Sequence, residues 1–474
     1  MTDLRLFGAL YYVVIDRLRR SRPSNSSAFD HDKWYGGDFL GIILSIPHIV
    51  TMGFKTVMLS PIEKQSEGTW VGDKFYDPFH GFHPLTILRL LVEPRFGTKT
   101  MFRLLVKIFG KNRIKVFLDT VPNHRGYGTP DLESVPKCFH TEGDVRRAQE
   151  QGNPQEEFEV TPLSGLPDLR QLHPLVSAFL NRMYKKFKRW EVVGFRFDAI
   201  KHCSREWVEY ITRWGPCKGV PIIGEVYDGD VWNHVPFWLL GIATTNYIWY
   251  YALVKEFSKP GNQADVDHTS GSINLTLNVV PSHGLLANFV DNHDTDRVIT
   301  VCLENGVQYG DAVERVDLML TLVYTLPGTP VVTYGTECLL EGLGLDKLGR
   351  VSNRQPMNFS PEKQTLKPRL TTLNQLRENE SVVWGDYEQR YSGHGVLAFA
   401  RFINGQSPVM VVVNVWDRQV ELSDLPGQIS VSAFASEGEL RELTERPHNV
   451  SVSNDGTLRG TLPPRTALVL SPAA

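Results

Sequence analysis

GFRFDAIKH, residues 194–202, opens with a short aromatic run and closes on an acid, Asp198, followed by Lys201 and His202. An apolar run of this length bounded by polar residues reads as a strand buried on both faces, with its chemistry at the C-terminal end. Arg196 and Asp198 stand two apart, so in a strand their side chains share a face. Outward along the chain the same pattern recurs at residues 11–16, 56–61, 116–121, 221–227, 286–292 and 329–335, with a weaker eighth run at 243–249. The intervals between them suit helices. Strand and helix alternating to this count predict a (β/α)8 barrel, although an open doubly wound sheet shares the pattern.

The chain has 474 residues, and a barrel alone takes about 250. Two departures from the rhythm account for the excess. From residue 123 to 166 the pattern gives way to a polar stretch, and a loop of that length is usually functional or a small subdomain. After residue 384 short alternating segments (VLAFARF, PVMVVVNV, TALVLS) predict an all-β terminal domain.

A hydrophobic fraction of 42% with 22% charged residues describes a chain able to bury a large core. Net charge is −3, so there is no basic field to hold a polyanion, and nucleic acid is not an expected partner. The five cysteines (138, 203, 217, 302 and 338) lack the spacing of a zinc site or a disulfide framework, which predicts reduced thiols and a cytoplasmic setting. The apolar run at residues 6–15 lies between Asp3 and Asp16, without a small-x-small cleavage signal, and is read as the first strand. No segment has the length and apolarity of a membrane span, so no membrane partner is expected.

Acidic residues gather where the predicted strands end. Asp119, with Asn123 and His124 just beyond, closes the third; Asp198 the fourth; Glu225 the fifth; and Asn292-His293-Asp294 the seventh. All strand C-termini of a barrel open on one face, so these residues converge there. A carboxylate at the end of a buried strand is costly unless paired or used.

In this order the segments resemble the signature regions of the α-amylase family, glycoside hydrolase family 13. DTVPNH (119–124) resembles the first, GFRFDAIKH the second, GEVY (224–227) the third and FVDNHD (289–294) the fourth, while LPDL (166–169) resembles the motif that closes the family's inserted B domain. YGGDFLGI, EPRFGT and LPGTPVVTYGTE add to the likeness. The resemblance implies a barrel at residues 1–122 and 167–384, a B domain at 123–166 and a C-terminal β-sandwich at 385–474. It also implies a retaining glycosidase acting on starch, glycogen or maltooligosaccharides.

Carried over residue by residue, the resemblance makes Asp198 the nucleophile, Glu225 the general acid/base and Asp294 the third carboxylate, selected over Asp291 and Asp296 by its His-Asp pattern. His80, His124 and His293 would bond sugar hydroxyls, Lys201 would lie on the leaving-group side, His202 would be a further substrate contact, and Arg354 would lie on the donor side. Phe82 stands where the family usually has a tyrosine, keeping an apolar platform without the hydroxyl. Arg196 would lower the pKa of Asp198 and keep it ionised. Asn123, Asp168 and the His202 carbonyl match a structural calcium (Ca2+) site, though calcium takes six to eight oxygen ligands. The basic loop RLRRSRPSNSS (17–27) argues against a second such site. Two alternatives stay open: a 4-α-glucanotransferase or cyclomaltodextrinase-type enzyme of the same family, and a non-catalytic glucan-binding protein. Oligomeric state is not legible.

Overall fold

The computed structural model describes residues 3–22, 29–71, 74–344, 351–431 and 438–473. Eight parallel strands close a barrel: β1 (Leu10–Val13), β2 (Thr56–Leu59), β3 (Lys115–Thr120), β4 (Gly194–Phe197), β5 (Ile222–Gly224), β6 (Ala243–Thr245), β7 (Leu286–Asn288) and β8 (Thr329–Thr333). Each pairs with its sequence neighbours, and β8 returns to β1. The barrel is therefore closed, and the open-sheet alternative falls away. Residues 6–15 supply part of a short 3-10 turn at Leu4–Phe7 and then β1, as expected.

All eight expected runs overshoot their strand at the C-terminal end. The one at 194–199, for example, is paired only to Phe197, and at 243–249 the strand stops at Thr245 before a helix begins at Tyr247. Apolar side chains continue into the first loop residues because these still pack on the barrel rim, while their backbone leaves the ladder. The overshoot is where the polar chemistry lies.

The surrounding helices are amphipathic. In Pro174–Arg189, Val176, Phe179, Leu180, Met183, Tyr184 and Phe187 are buried, at the three- and four-residue spacing of one helical face. Pro174 at its first turn, where the missing N–H costs nothing, marks where it starts.

The segment between β3 and β4 is helical, with Asp131–Ser134, Glu142–Glu150 and Pro154–Val160 linked by 3-10 turns. Its polar sequence concealed this, because short helices on a small body bury few residues; a capping box between Thr141 and Asp144 is the local signal that starts Glu142–Glu150. The C-terminal region forms a seven-stranded antiparallel sheet with a two-stranded ribbon. Alternation sorts its side chains: Leu397, Phe399, Val411 and Val413 join the barrel core, while Val396, Ala398, Ala400 and Val412 face a second core capped by Val420 and Leu462 of the ribbon. Of the basic loop, residues 23–27 lie outside the described residues.

Candidate active site

Register brings the central residues together. β3 pairs Asp119 with Arg196 of β4, and β4 pairs Phe197 with Gly224 of β5. The next residues, Asp198 and Glu225, therefore leave adjacent strands side by side, each with one more ladder bond: Asp198 N–H to Thr120 O and Glu225 N–H to Phe197 O, both 2.9 Å. Ala199 then takes a left-handed conformation, φ 47°, and its N–H donates to Glu225 Oε2 at 2.8 Å. Gly224 accommodates this turn, since a Cβ there would stand 2.8 Å from Ile200 Cγ2.

Arg196 is buried beneath this group. Its Nη1 donates to Asp119 (3.0 and 2.9 Å) and to Asp198 Oδ1 (2.9 Å), and its Nη2 lies 2.7 Å from Glu225 Oε1. One guanidinium thus serves three carboxyl groups, an arrangement that only charge-assisted bonds make tolerable in a buried site. Burial pushes Asp119 up to about 8 and Glu225 well above the usual glutamate range, against the pull of Arg196. It also raises Asp198, so the expected lowering by Arg196 is present but outweighed by desolvation. Asp294 goes the other way: burial alone would raise it, yet His293 and Arg354 hold it well below the usual carboxylate range.

Asp294 is clamped. His293 Nε2 lies 2.9 Å from Oδ2, Arg354 Nη2 donates to Oδ1 at 2.8 Å, and Arg354 Nε donates to the His293 carbonyl at 2.8 Å. Its competitors are engaged elsewhere, Asp291 with Arg297 at 3.3 Å and Asp296 with the Gly344 N–H at 2.7 Å. Phe82 stacks parallel on His293, centroids 4.8 Å apart, and Tyr12 stacks on the same imidazole at 4.9 Å. His80 Nδ1 accepts from the Phe82 N–H at 3.0 Å. His124 donates from Nε2 to the Phe82 carbonyl at 3.1 Å, leaving Nδ1 as a bare acceptor. Burial lowers the pKa of His80, His124 and His293, which suits neutral imidazoles meeting neutral hydroxyls.

These groups line a cleft of about 930 Å³. His80, Phe82, His124, Asp198, Lys201, His202, Glu225, His293, Asp294 and Arg354 all border it, with Arg196 below the floor. Asn123 and Asp168 do not reach it and sit behind His124 at the joint with the inserted segment. On one side Lys201 pairs with Asp228 at 2.6 Å, and His202 Nδ1 donates to the Phe158 carbonyl at 3.2 Å. Sequence reasoning missed Phe158, although it is the one aromatic in the acidic stretch QEEFEV, and Tyr227, two residues after Glu225; both border the cleft.

Among the described residues no group of three or more His, Cys, Asp or Glu is arranged to hold a metal ion. Asn123 turns its amide Nδ2 toward Asp168 Oδ1 at 3.0 Å, and His140 Nδ1 lies 2.6 Å from Asp168 Oδ2. With a single carboxylate, bonded at both oxygens, and an amide presenting its donor, the set does not fit calcium, which takes six to eight oxygens.

A closed barrel whose strand ends deliver clustered carboxyl groups to one large cleft places nucleophilic and acid/base groups where a glycosidase needs them. The family model described as alpha amylase, catalytic domain, matches residues 13–138 and 206–384. The chain belongs to the α-amylase family. It is 25% identical over 480 residues to the Beta/alpha-amylase of Paenibacillus polymyxa, covering 98% of this chain and 38% of that relative. It is 26% identical over 432 residues to Alpha-amylase 2 of Schwanniomyces occidentalis, covering 86% and 80%. The solved α-amylase of Anoxybacillus superposes with a TM-score of 0.84 at 27% identity, covering 100% of this chain and 99% of that one. No described helix is long and apolar enough to cross a membrane.

Proposed function

We propose that this chain hydrolyses α-1,4-glucosidic bonds in starch, glycogen or maltooligosaccharides with retention of configuration. Asp198 attacks the anomeric carbon while Glu225 gives its proton to the departing glycosidic oxygen. The covalent glycosyl-enzyme is then opened by water, whose proton returns to Glu225. The observation that carries this is the common grip of Arg196 on Asp198 and Glu225 at the ends of adjacent strands. It suits the close spacing, about 5–5.5 Å, that retaining chemistry uses. Burial raises the pKa of Glu225, which favours the protonated form that a general acid requires.

Asp294, clamped in its ionised form, would accept hydroxyl hydrogens of the distorted ring and tighten as the transition state forms. His80, His124 and His293 would complete the polar wall, Phe82 would keep His293 in place by stacking, and Arg354 would hold Asp294. Lys201 and His202 would face the leaving group. Calcium has no part in the proposal, because Asn123 and Asp168, as bonded here, do not fit it. The five free thiols support a cytoplasmic setting. Maltoheptaose tests the activity: products shorter than the substrate are expected, and they should vanish in Asp198→Asn. Retained turnover in that variant overturns the proposal, and a dominance of products longer than the substrate assigns transfer instead.

A further inference from the structure

Three stretches of chain cross at the joint between barrel and inserted segment: 123–125 leaving β3, 138–140 within the insert, and 167–170 returning to the barrel. Backbone bonds run among them, from Leu169 N–H to Asn123 O (2.8 Å), Arg125 N–H to Pro167 O (2.9 Å), His140 N–H to Asp168 O (3.0 Å) and Arg170 N–H to Cys138 O (2.8 Å). At their centre Asp168 is 1% exposed. A carboxylate so buried needs a counter-charge or a full set of donors.

We propose that His140 fills this need, its imidazole N–H standing where a bound cation would otherwise neutralise Asp168, so that the joint holds without calcium. Three features carry the proposal. Both Asp168 oxygens are engaged, Oδ1 by Asn123 Nδ2 at 3.0 Å and Oδ2 by His140 Nδ1 at 2.6 Å. Asn123 directs its donor at the carboxylate, and its oxygen accepts from Gln171 Nε2 at 3.4 Å. A cation would meet an N–H where it needs an oxygen. The nearby acid Asp144 is also taken, by Arg170, by Arg147 Nη2 at 2.9 Å and by the Thr141 N–H and hydroxyl at 2.8 and 2.7 Å. His140 is thus a positioning residue: through Asp168 and Asn123 it sets the backbone that delivers His124 to the cleft.

The test is independent of turnover. Purified protein is dialysed against calcium chloride or EDTA, its bound calcium is measured by atomic emission, and its thermal midpoint is recorded. We expect no stoichiometric calcium and a midpoint unchanged within about 1 °C between the two conditions. One equivalent of calcium retained by the wild type but not by Asp168→Asn, with a midpoint loss of roughly 5–10 °C on chelation, overturns the proposal. His140→Ala is expected to lower the midpoint and raise KM for maltooligosaccharides, and His140→Asn, which keeps an N–H donor, to restore both. An alanine variant matching the wild type in both also overturns it. If the alanine variant does not fold, the wild-type calcium measurement decides.

Discussion

Glu225 Oε1 lies 2.7 Å from Arg196 Nη2, while Nη1 of the same guanidinium binds Asp198 Oδ1 at 2.9 Å, so one side chain sets the position of both central carboxyl groups. Arg196→Lys retains a positive charge but lacks the planar fork needed to hold both partners. We expect kcat on a chromogenic maltooligosaccharide to fall by about 10²–10³, the scale of removing one preorganised donor. A loss below tenfold would show that the two carboxyl groups hold their places without it.

The roles of Asp198 and Glu225 separate on leaving-group chemistry. A glucan needs protonation of its departing oxygen, whereas α-maltosyl fluoride leaves without it. Glu225→Gln should lose about 10²–10⁴ on maltooligosaccharides yet retain most of the glycosylation rate on the fluoride, the range expected for removal of a general acid. Asp198→Asn should fail on both. Pre-steady-state fluoride release measures the first step, and equal losses for the two variants would refute the division of roles.

Glu225 also makes a stability prediction. An unfolded glutamate titrates near 4.3, and burial places Glu225 well above that in the folded protein. Between these values the folded chain keeps a proton that the unfolded chain has released, so stability declines as pH rises through the window. Glu225→Gln has no proton to lose. Its thermal midpoint should exceed the wild type's by a few degrees at neutral pH, and the advantage should shrink toward about pH 4. Activity of the wild type should decline on the alkaline side as Glu225 loses its proton.

Phe158 reaches the cleft from the helix Pro154–Val160, with the Lys201 ammonium 4.7 Å from its ring centroid. Phe158 is 43% exposed, leaving apolar surface for a sugar. Phe158→Ala should raise KM for long maltooligosaccharides about 2- to 10-fold, the worth of one aromatic contact, with α-maltosyl fluoride turnover unchanged because that substrate lacks a second sugar on the leaving side. A matching loss on the fluoride would place Phe158 in the scaffold instead.

The legible parts of this protein are those with a local cause. Continuous apolar runs marked all eight barrel strands because a strand buried on both faces needs apolar residues throughout. The acids at their ends stood out because a charge closing such a run has a high desolvation cost. The insert was legible as an interruption but not as helices, since Glu142–Glu150 buries only Asp144 and Ala148 and so carries almost no apolar period.

Sequence by itself determined the alternation of eight strands with helices, the terminal β region and the identity of Asp198, Glu225 and Asp294 as the residues to watch, while closure of the sheet was left to the tertiary structure. Tertiary structure alone decided that Arg196 serves three carboxyl groups, that burial overrides its pull on Asp198, and that His140 rather than a distant donor meets Asp168. The reason is physical: periodicity and strand-end charge are written in neighbouring residues, whereas desolvation and pairing depend on which surfaces the closed barrel brings within 3 Å of each other, and His140 is 28 residues from Asp168 with no repeat linking them.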